Sequence, residues 1–316
     1  MHAAGAELHN APMPATEPLT IAIPFYRNLP YLEQAVQSVT RQTSPQWRLL
    51  ICDDSGPDWP GSRQVQRLVK AAGEGARYVS NRHTLGMVGN WNRIFELAET
   101  DRVTLLHQDD RLLPNYVQLM QRLAQQHPNV AAFYAAATII DASGEPVFSM
   151  ADFVKAWFAP RALGGLTALA GRPAVEQLIG GNFIMCPTLC YRRSLLGTRR
   201  FDPRFAQVQD LDFIMRLLFD GLMLLGSDEV AFEYRRHGSS ATSIQSETML
   251  RFEEEARLFD ELATQCDARG WSRASRRARK KPIIKLHLAY RVLNDLRRGR
   301  LKAASKKLRF LATLFA

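Results

Sequence analysis

LTIAIPFYRNLPYLEQAVQSVTRQTSPQWRLLICDDSG, residues 19–56, is the stretch that decides the fold. Residues 19–24 form a short apolar run ended by Pro24, the pattern of a buried strand. Leu32, Ala35, Val36 and Val39 then recur at helical spacing, which predicts a helix over residues 29–42 with one apolar face. A second apolar run, residues 47–52, completes a strand–helix–strand unit. Asp53-Asp54-Ser55-Gly56 follows as a turn that can also open a helix.

Working outward, the pattern predicts helix over 62–72, strand over 76–80, helix over 87–97 and strand over 102–106. Such alternation signals an α/β fold, a mostly parallel sheet flanked by helices. In such sheets ligands collect beyond the carboxyl ends of the strands, so chemistry is expected after Ile23, Cys52, Ser80 and Leu106. Past Tyr116 the rhythm changes to a helix (116–126), a strand (130–140) and a turn (141–145). Residues 150–185 are rich in glycine and aromatics without a clean period. A helix over 210–219, a strand over 230–234 and a helical pattern from 248 onward complete the chain.

The chain has 316 residues, 46% of them hydrophobic and 23% charged, the composition of a globular protein. Cys52, Cys186, Cys190 and Cys266 form no CxxC pair and are expected to be buried free thiols in a reducing compartment. The first 18 residues lack the basic start and apolar run of a signal peptide. No run reaches the roughly 18–20 apolar residues of a membrane span. The expected location is therefore cytoplasmic. Net charge is +10, yet residues 271–316 hold 15 Lys and Arg against one acid, Asp295. The first 270 residues hold 26 basic and 30 acidic residues, which argues against a nucleic-acid-binding core.

Four clusters carry the chemistry. Asp53-Asp54 follows a strand, where carboxylates accept hydrogen bonds from a base or ribose, or cap a helix. His107-Gln108-Asp109-Asp110 ends another strand, where adjacent carboxylates repel unless a cation or donor group compensates them, or where the loop is solvated and caps the helix after Pro114. Mg²⁺ or Mn²⁺ suits such oxygen ligands together with substrate phosphates. Gln209-Asp210-Leu211-Asp212 opens a helix, where a carboxylate serves as a general base or as a cap. Tyr234-Arg235-Arg236-His237-Gly238-Ser239-Ser240 brings cations and an imidazole suited to a diphosphate or a metal.

In this order, with "IAIPFYRNLPYLEQAVQSVTRQT" at the start and "RHTLGMVGNWNRIFELA" in the middle, residues 19–243 resemble the inverting family 2 glycosyltransferases of GT-A fold, of bacterial polysaccharide and O-antigen type. The resemblance implies a GT-A catalytic domain over 19–245, with a nucleotide-binding half (19–115) and an acceptor-binding half (116–245). A disordered segment (1–18) precedes it and a basic helical extension (246–316) follows. By the same resemblance Pro24, Tyr26, Arg27, Asp53, Asp54, Asn81, Gly86, Asn90, Asp109 and Arg236 bind the nucleotide sugar. Asp109, Asp110 and His237 hold Mg²⁺ or Mn²⁺, and Asp210 is the catalytic base.

Two departures stand out. The family often has an acid where this chain has His107, which leaves the metal to Asp109 and Asp110 within that cluster. It favours Glu-Asp where this chain has Gln209-Asp210, which leaves Asp212 as a competing base.

The implied reaction transfers a sugar from a nucleotide-diphosphate donor to a hydroxyl of a glycan or lipid-linked glycan, with inversion. The alternatives are a nucleotidyltransferase, disfavoured because Pro24-Phe25-Tyr26-Arg27-Asn28 lacks a glycine-rich loop, and a non-catalytic sugar-nucleotide or membrane-binding protein. The tail divides at Pro282 and Gly299 into basic amphipathic helices, suited either to an anionic membrane, on the cytoplasmic face of the inner membrane, or to packing on the catalytic domain.

Overall fold

A computed structural model describes residues 17–149, 158–238 and 249–315. Most of the expected N-terminal segment, Ser239 and Ser240, and the stretches 150–157 and 239–248 lie outside the described residues.

The first half runs β1 (Leu19–Phe25), α1 (Leu29–Thr40), β2 (Trp47–Asp53), α2 (Ser62–Ala72), β3 (Ala76–Ser80), α3 (Gly86–Leu97) and β4 (Arg102–Leu105). Next come β5 (Arg111–Leu112), α4 (Tyr116–Gln126), β6 (Val130–Ile140), β7 (Leu166–Leu169) and α5 (Gly171–Gly180). A 3-10 turn (Cys186–Thr188) leads into β8 (Leu189–Arg192), followed by the one-turn α6 (Arg193–Leu196), α7 (Gln209–Phe219) and β9 (Met223–Arg235). The chain closes with α8 (Leu250–Ala268), α9 (Ser272–Lys280), α10 (Pro282–Arg297) and α11 (Leu301–Thr313).

The strands form one sheet in the order β3-β2-β1-β4-β8-β6-β9-β5, with β7 also paired to β9. β3, β2, β1 and β4 are parallel, as the alternation predicts. Beyond β4 the sheet is mixed. β8 runs antiparallel to both β4 and β6, and β5 and β7 run antiparallel to β9. β6 and β9 are parallel, so six strands point their carboxyl ends to one edge.

Two apolar layers cover the sheet. The two-residue period of β1 sends Leu19, Ile21, Ile23 and Phe25 to a layer with Leu32, Val36 and Val39 of α1 and Val65 of α2. Ala22 of β1 and Leu50 and Cys52 of β2 face the other layer, built by α3, α5, α7, α8 and α10. Each fully buried aliphatic side chain stabilises by roughly 1.5–3 kcal/mol, so the layers fix the strands whose ends carry the site. All four cysteines are buried and free, as expected.

The structure departs from the expected outer half. β9 starts at Met223, seven residues before the expected strand, because Leu224, Leu225 and Gly226 pair with both β6 and β7 ahead of an irregularity in the β6–β9 register. β8 and α5 are additions to the sequence expectation: β8 is only four residues long, and α5 buries Ala174, Val175, Leu178 and Ile179 at a helical spacing within the glycine-rich stretch. The tail begins its helices at Leu250, breaks at Gly299 (φ +69°) and packs Ile284 and Leu288 onto the body.

Candidate functional site

The loop after β4 is anchored from three directions. The Leu106 amide donates to Ala22 O at 2.9 Å, continuing the β1–β4 ladder by one residue. Gln108 grips the end of β1: its Oε1 accepts from the Tyr26 amide at 2.8 Å and its Nε2 donates to Tyr26 O at 3.3 Å. The Asp110 amide donates to His107 O at 3.1 Å, closing a turn that gathers His107, Asp109 and Asp110.

One ligand atom from each of these three residues lies within 4.8 Å of the others. Asp110 is 1% exposed; its Oδ1 accepts from the Arg235 amide at 2.8 Å. Its Oδ2 is buried without a hydrogen-bond partner among the described residues, and so is His107 Nε2. Burial, and repulsion from Asp109, push the Asp110 carboxyl well above the usual range. Burial holds the His107 imidazole below its ordinary value against the opposing pull of Asp109, which keeps a nitrogen lone pair available. An orphaned buried carboxylate oxygen beside a second carboxylate and a neutral imidazole fits a divalent cation.

His107 is the residue that the sequence reading left out of the metal set. It occupies the position at which the resemblance leads one to look for an acid, and that position was the available signal. Its ring stacks on Trp91 of α3, centroids 5.3 Å apart.

His237, expected from sequence among the metal residues, adjoins this group through Asp109. Its Nε2 meets Asp109 Oδ2 at 2.8 Å, and its ring lies 5.0 Å from that of Tyr31. Burial alone raises the Asp109 pKa, but the His237 bond and the two imidazoles outweigh it and hold the carboxyl below the usual range. Arg235, 2% exposed, braces the loops: Nε donates to Asp109 O at 2.7 Å, and Nη1 to Asp141 O and Ala142 O at 3.1 and 3.2 Å. Its Nη2 donates to Gln34 Oε1 at 2.7 Å, so the buried guanidinium is a scaffold. Arg236 lies over the Tyr234 ring, 4.9 Å from its centroid, and its field reaches Asp110.

The residues after β1 and β2 form a second group. Tyr26 is exposed, with the Arg27 guanidinium over its ring. Arg27 adopts φ +50°, and its amide and guanidinium are tied to Ser55 Oγ and Ser55 O. Pro24 is half-buried opposite Cys52.

Asp53 and Asp54 are buried and already committed within the protein. Asp53 accepts from the Ser55 amide and the Tyr78 hydroxyl, at 2.8 and 2.7 Å. Asp54 accepts from the Leu85 and Gly86 amides and from Asn81 Nδ2, each at 2.8 Å. It therefore caps α3 from 32 residues upstream, placing a carboxylate on a helix N-terminus. Asn81 and Asn90 are joined at 3.0 Å, and Asn90 Nδ2 donates to Cys52 O at 2.9 Å. Gly86 supplies φ +75° where α3 begins.

Asp210 is half-buried in the first turn of α7. Asp210 and Asp110 both act on the buried Cys186 thiol, which burial first and then their charges push up. Both carboxylates thus lie near enough to Cys186 for their charges to act on it. Asp212 is turned elsewhere, both of its contacts being to the Arg216 guanidinium at 2.9 and 2.8 Å. The loop before α7 is held by buried Glu254 of α8, whose oxygens accept from the Ala206 and Gln207 amides at 2.8–3.0 Å.

Residues 20–172 match the family model described as Glycosyl transferase family 2. The chain is similar to TuaG of Bacillus subtilis (strain 168), a putative teichuronic acid biosynthesis glycosyltransferase, at 23% identity over 252 residues, 78% of this chain and 92% of TuaG. Two other relatives are matched over only 37% and 41% of their own length. Mannosyltransferase PcManGT from Pyrobaculum calidifontis, solved with GDP-Man and Mn²⁺, shares the fold at TM-score 0.60 and 14% identity, over 97% of this chain and 83% of that one. TarS 1-349 of S. aureus, solved with UDP-GlcNAc, does so at TM-score 0.59 and 15% identity, over 78% and 66%. The architecture is GT-A, with the C-terminal helices as an addition to its flanked sheet.

Proposed function

We propose that this chain, a member of glycosyl transferase family 2 through its residues 20–172, moves a sugar from a nucleotide-diphosphate donor onto a glycan or lipid-linked glycan hydroxyl with inversion. The observation that carries the reading is the His107, Asp109 and Asp110 group, whose buried Asp110 Oδ2 has no hydrogen-bond partner among the described residues. The name of TuaG and the GDP-Man and UDP-GlcNAc held by PcManGT and TarS support a polysaccharide product and a nucleotide-sugar donor.

Asp109, Asp110 and His107 are the residues that would hold a divalent cation, Mg²⁺ or Mn²⁺. When bound, such a cation neutralises charge on the donor's leaving diphosphate. His237 keeps Asp109 ionised and oriented, and Arg235 fixes the backbone on both sides of the pair. Arg236, whose charge reaches Asp110, would pair with the same phosphates. Tyr26 and Arg27, an exposed stacked pair after β1, would contact the nucleotide.

Asp210 takes the proton from the acceptor hydroxyl as that oxygen attacks the anomeric carbon from the face opposite the diphosphate. One displacement breaks the sugar–phosphate bond and inverts the centre, with no sugar attached to the protein. Residues 19–245 supply this chemistry, and the helices after 250 form the extension.

Release of nucleoside diphosphate from a panel of nucleotide sugars, with Mn²⁺ or Mg²⁺ and then with chelator, tests the reading. Chelator-sensitive release with one donor is expected. Donor binding without any release across a broad acceptor panel would instead favour a non-catalytic binding protein.

A further inference from the structure

α10 has two apolar stripes, and the body covers only one. Ile284, Leu288 and Val292 are buried, with Ile284 and Leu288 in the layer shared with α7 and α8. Leu286, Tyr290 and Leu293 recur at i, i+4 and i+7 and are 56–63% exposed. With 3.6 residues per turn they line one ridge, which Arg297 continues a turn further on.

α11 repeats the design. Ala304 and Lys307 are buried towards α10, while Leu301 and Leu308 are 67% and 56% exposed at i and i+7, and Phe315, just past the helix end, is 71% exposed. Lys302, Lys306 and Arg309 are exposed along one flank of that second ridge. A buried ion pair, Lys307 Nζ to Asp295 Oδ2 at 2.6 Å, bolts the two helices together, so the ridges keep their relative positions.

We propose that this outer face of α10 and α11 seats on an anionic phospholipid bilayer. Charge decides the occupant. Residues 271–316 carry 15 Lys and Arg, and their single acid, Asp295, is buried. Two copies of this face brought together would oppose like charges around the leucines. A lipid surface of opposite sign instead accepts both the leucines and the flanking ammonium and guanidinium groups.

Long basic side chains reach phosphate while their stems and the leucines enter the acyl boundary, and Tyr290 is suited to the headgroup level. No described helix is long and apolar enough to cross the membrane, which fits helices lying in the interface plane. The proposal requires no donor or acceptor chemistry and stands apart from the catalytic reading.

Sedimentation of the full chain with vesicles of phosphatidylcholine alone, or mixed with phosphatidylglycerol, tests it. Binding to the anionic vesicles, weak binding to the neutral ones and release by salt are expected. A variant with Lys302→Glu, Lys306→Glu and Arg309→Glu should bind on the order of a hundredfold more weakly, each basic residue near the surface being worth roughly fivefold. A variant with Leu286→Ser, Leu293→Ser and Leu308→Ser should lose binding by about tenfold or more at unchanged Tm, since all three side chains are exposed. Equal affinity for both vesicle types, or wild-type binding by the serine variant, would overturn the proposal. So would a solution dimer that the serine variant dissolves, because the face would then belong to a second copy.

Discussion

His237 Nε2 lies 2.8 Å from Asp109 Oδ2 across 128 residues of sequence, joining the end of β9 to the loop after β4. An imidazole in this position orients the carboxylate and keeps it ionised, as partners behind metal ligands do. His237→Ala should lower Mn²⁺ affinity about 10–100-fold. The sign with pH follows from Asp109, whose pKa the His237 bond lowers. Without that bond the carboxyl gains a proton at higher pH, so the loss should widen as pH falls. Calorimetric titration of Mn²⁺ at several pH values checks this; equal losses at every pH would remove the electrostatic part.

His107 brings nitrogen to a group whose other ligand atoms are carboxylate oxygens. Imidazole favours transition metals, whereas an all-oxygen set suits Mg²⁺. His107→Asp should therefore shift the ratio of Mn²⁺ to Mg²⁺ affinity towards Mg²⁺ by roughly tenfold. Competition of Mg²⁺ against bound Mn²⁺, followed by electron paramagnetic resonance, reads the ratio directly. An unchanged ratio would place His107 outside the coordination shell.

Asp210 and Asp212 were not separable by sequence, since both sit in the first turn of one helix. The structure distinguishes them by their surroundings. Asp212 is engaged by Arg216, and burial raises its pKa despite that partner. Asp210 shares the field on Cys186 with Asp110. Asp210→Asn should abolish transfer, by about 10²-fold or more, while leaving donor affinity near wild type. Asp212→Asn should keep kcat and lower stability by about 1 kcal/mol, the worth of a hydrogen bond to a charged group partly offset by relief of its burial. Steady-state kinetics beside thermal melts of the two variants decides the assignment.

The same contrast shows what sequence carries and what it does not. β1, α1, α2, β3, α4 and β6 were legible because each has its own hydrophobic period, and packing merely agreed with it. β8 is four residues long and finds its identity only between β4 and β6, so nothing local announces it. Asp53-Asp54 was legible as a cluster, and capping was one of its two readings. That Asp54 caps α3, beyond an intervening helix and strand, depends on β2 and β3 being neighbours. Gln108 and Arg235 were legible as members of clusters, but their bracing roles were not, because their partners, Tyr26, Asp109 and Gln34, come from other strand ends and helices.

Glu254 links the C-terminal helices to the loop before α7. It is buried on α8 and accepts three hydrogen bonds from the Ala206 and Gln207 amides, a few residues before Asp210. It touches neither donor nor acceptor in the proposed reaction, so its role would be to position the start of α7. Glu254→Ala should lower kcat about tenfold with little change in donor KM, since misplacing a reacting group by a fraction of an ångström is costly. Partial recovery by Glu254→Gln, which keeps one acceptor oxygen, would separate positioning from general destabilisation. A parallel fall in Tm for both variants with unchanged kcat would make Glu254 purely structural.

Asp295 gives the tail an acid-sensitive lock. It is 2% exposed, and Lys307 Nζ and Arg300 Nε lie 2.6 and 3.3 Å from its oxygens. Burial raises its pKa, but the Lys307 hydrogen bond and the surrounding cations prevail and set it below the ordinary value. A carboxyl with a depressed folded-state pKa contributes stability above its unfolded pKa and loses it as pH falls through the folded one. The α10–α11 pair should accordingly loosen on acidification below the usual carboxylate range, before the sheet unfolds. Limited proteolysis across an acid series should cut first near Gly299, the exposed break between these helices. In Asp295→Asn that cleavage should already occur at neutral pH, because the buried Lys307 ammonium then lacks its counter-charge. If the variant resists the protease as the wild type does, the lock is held by the apolar contacts of Ile284, Leu288 and Ala304 instead.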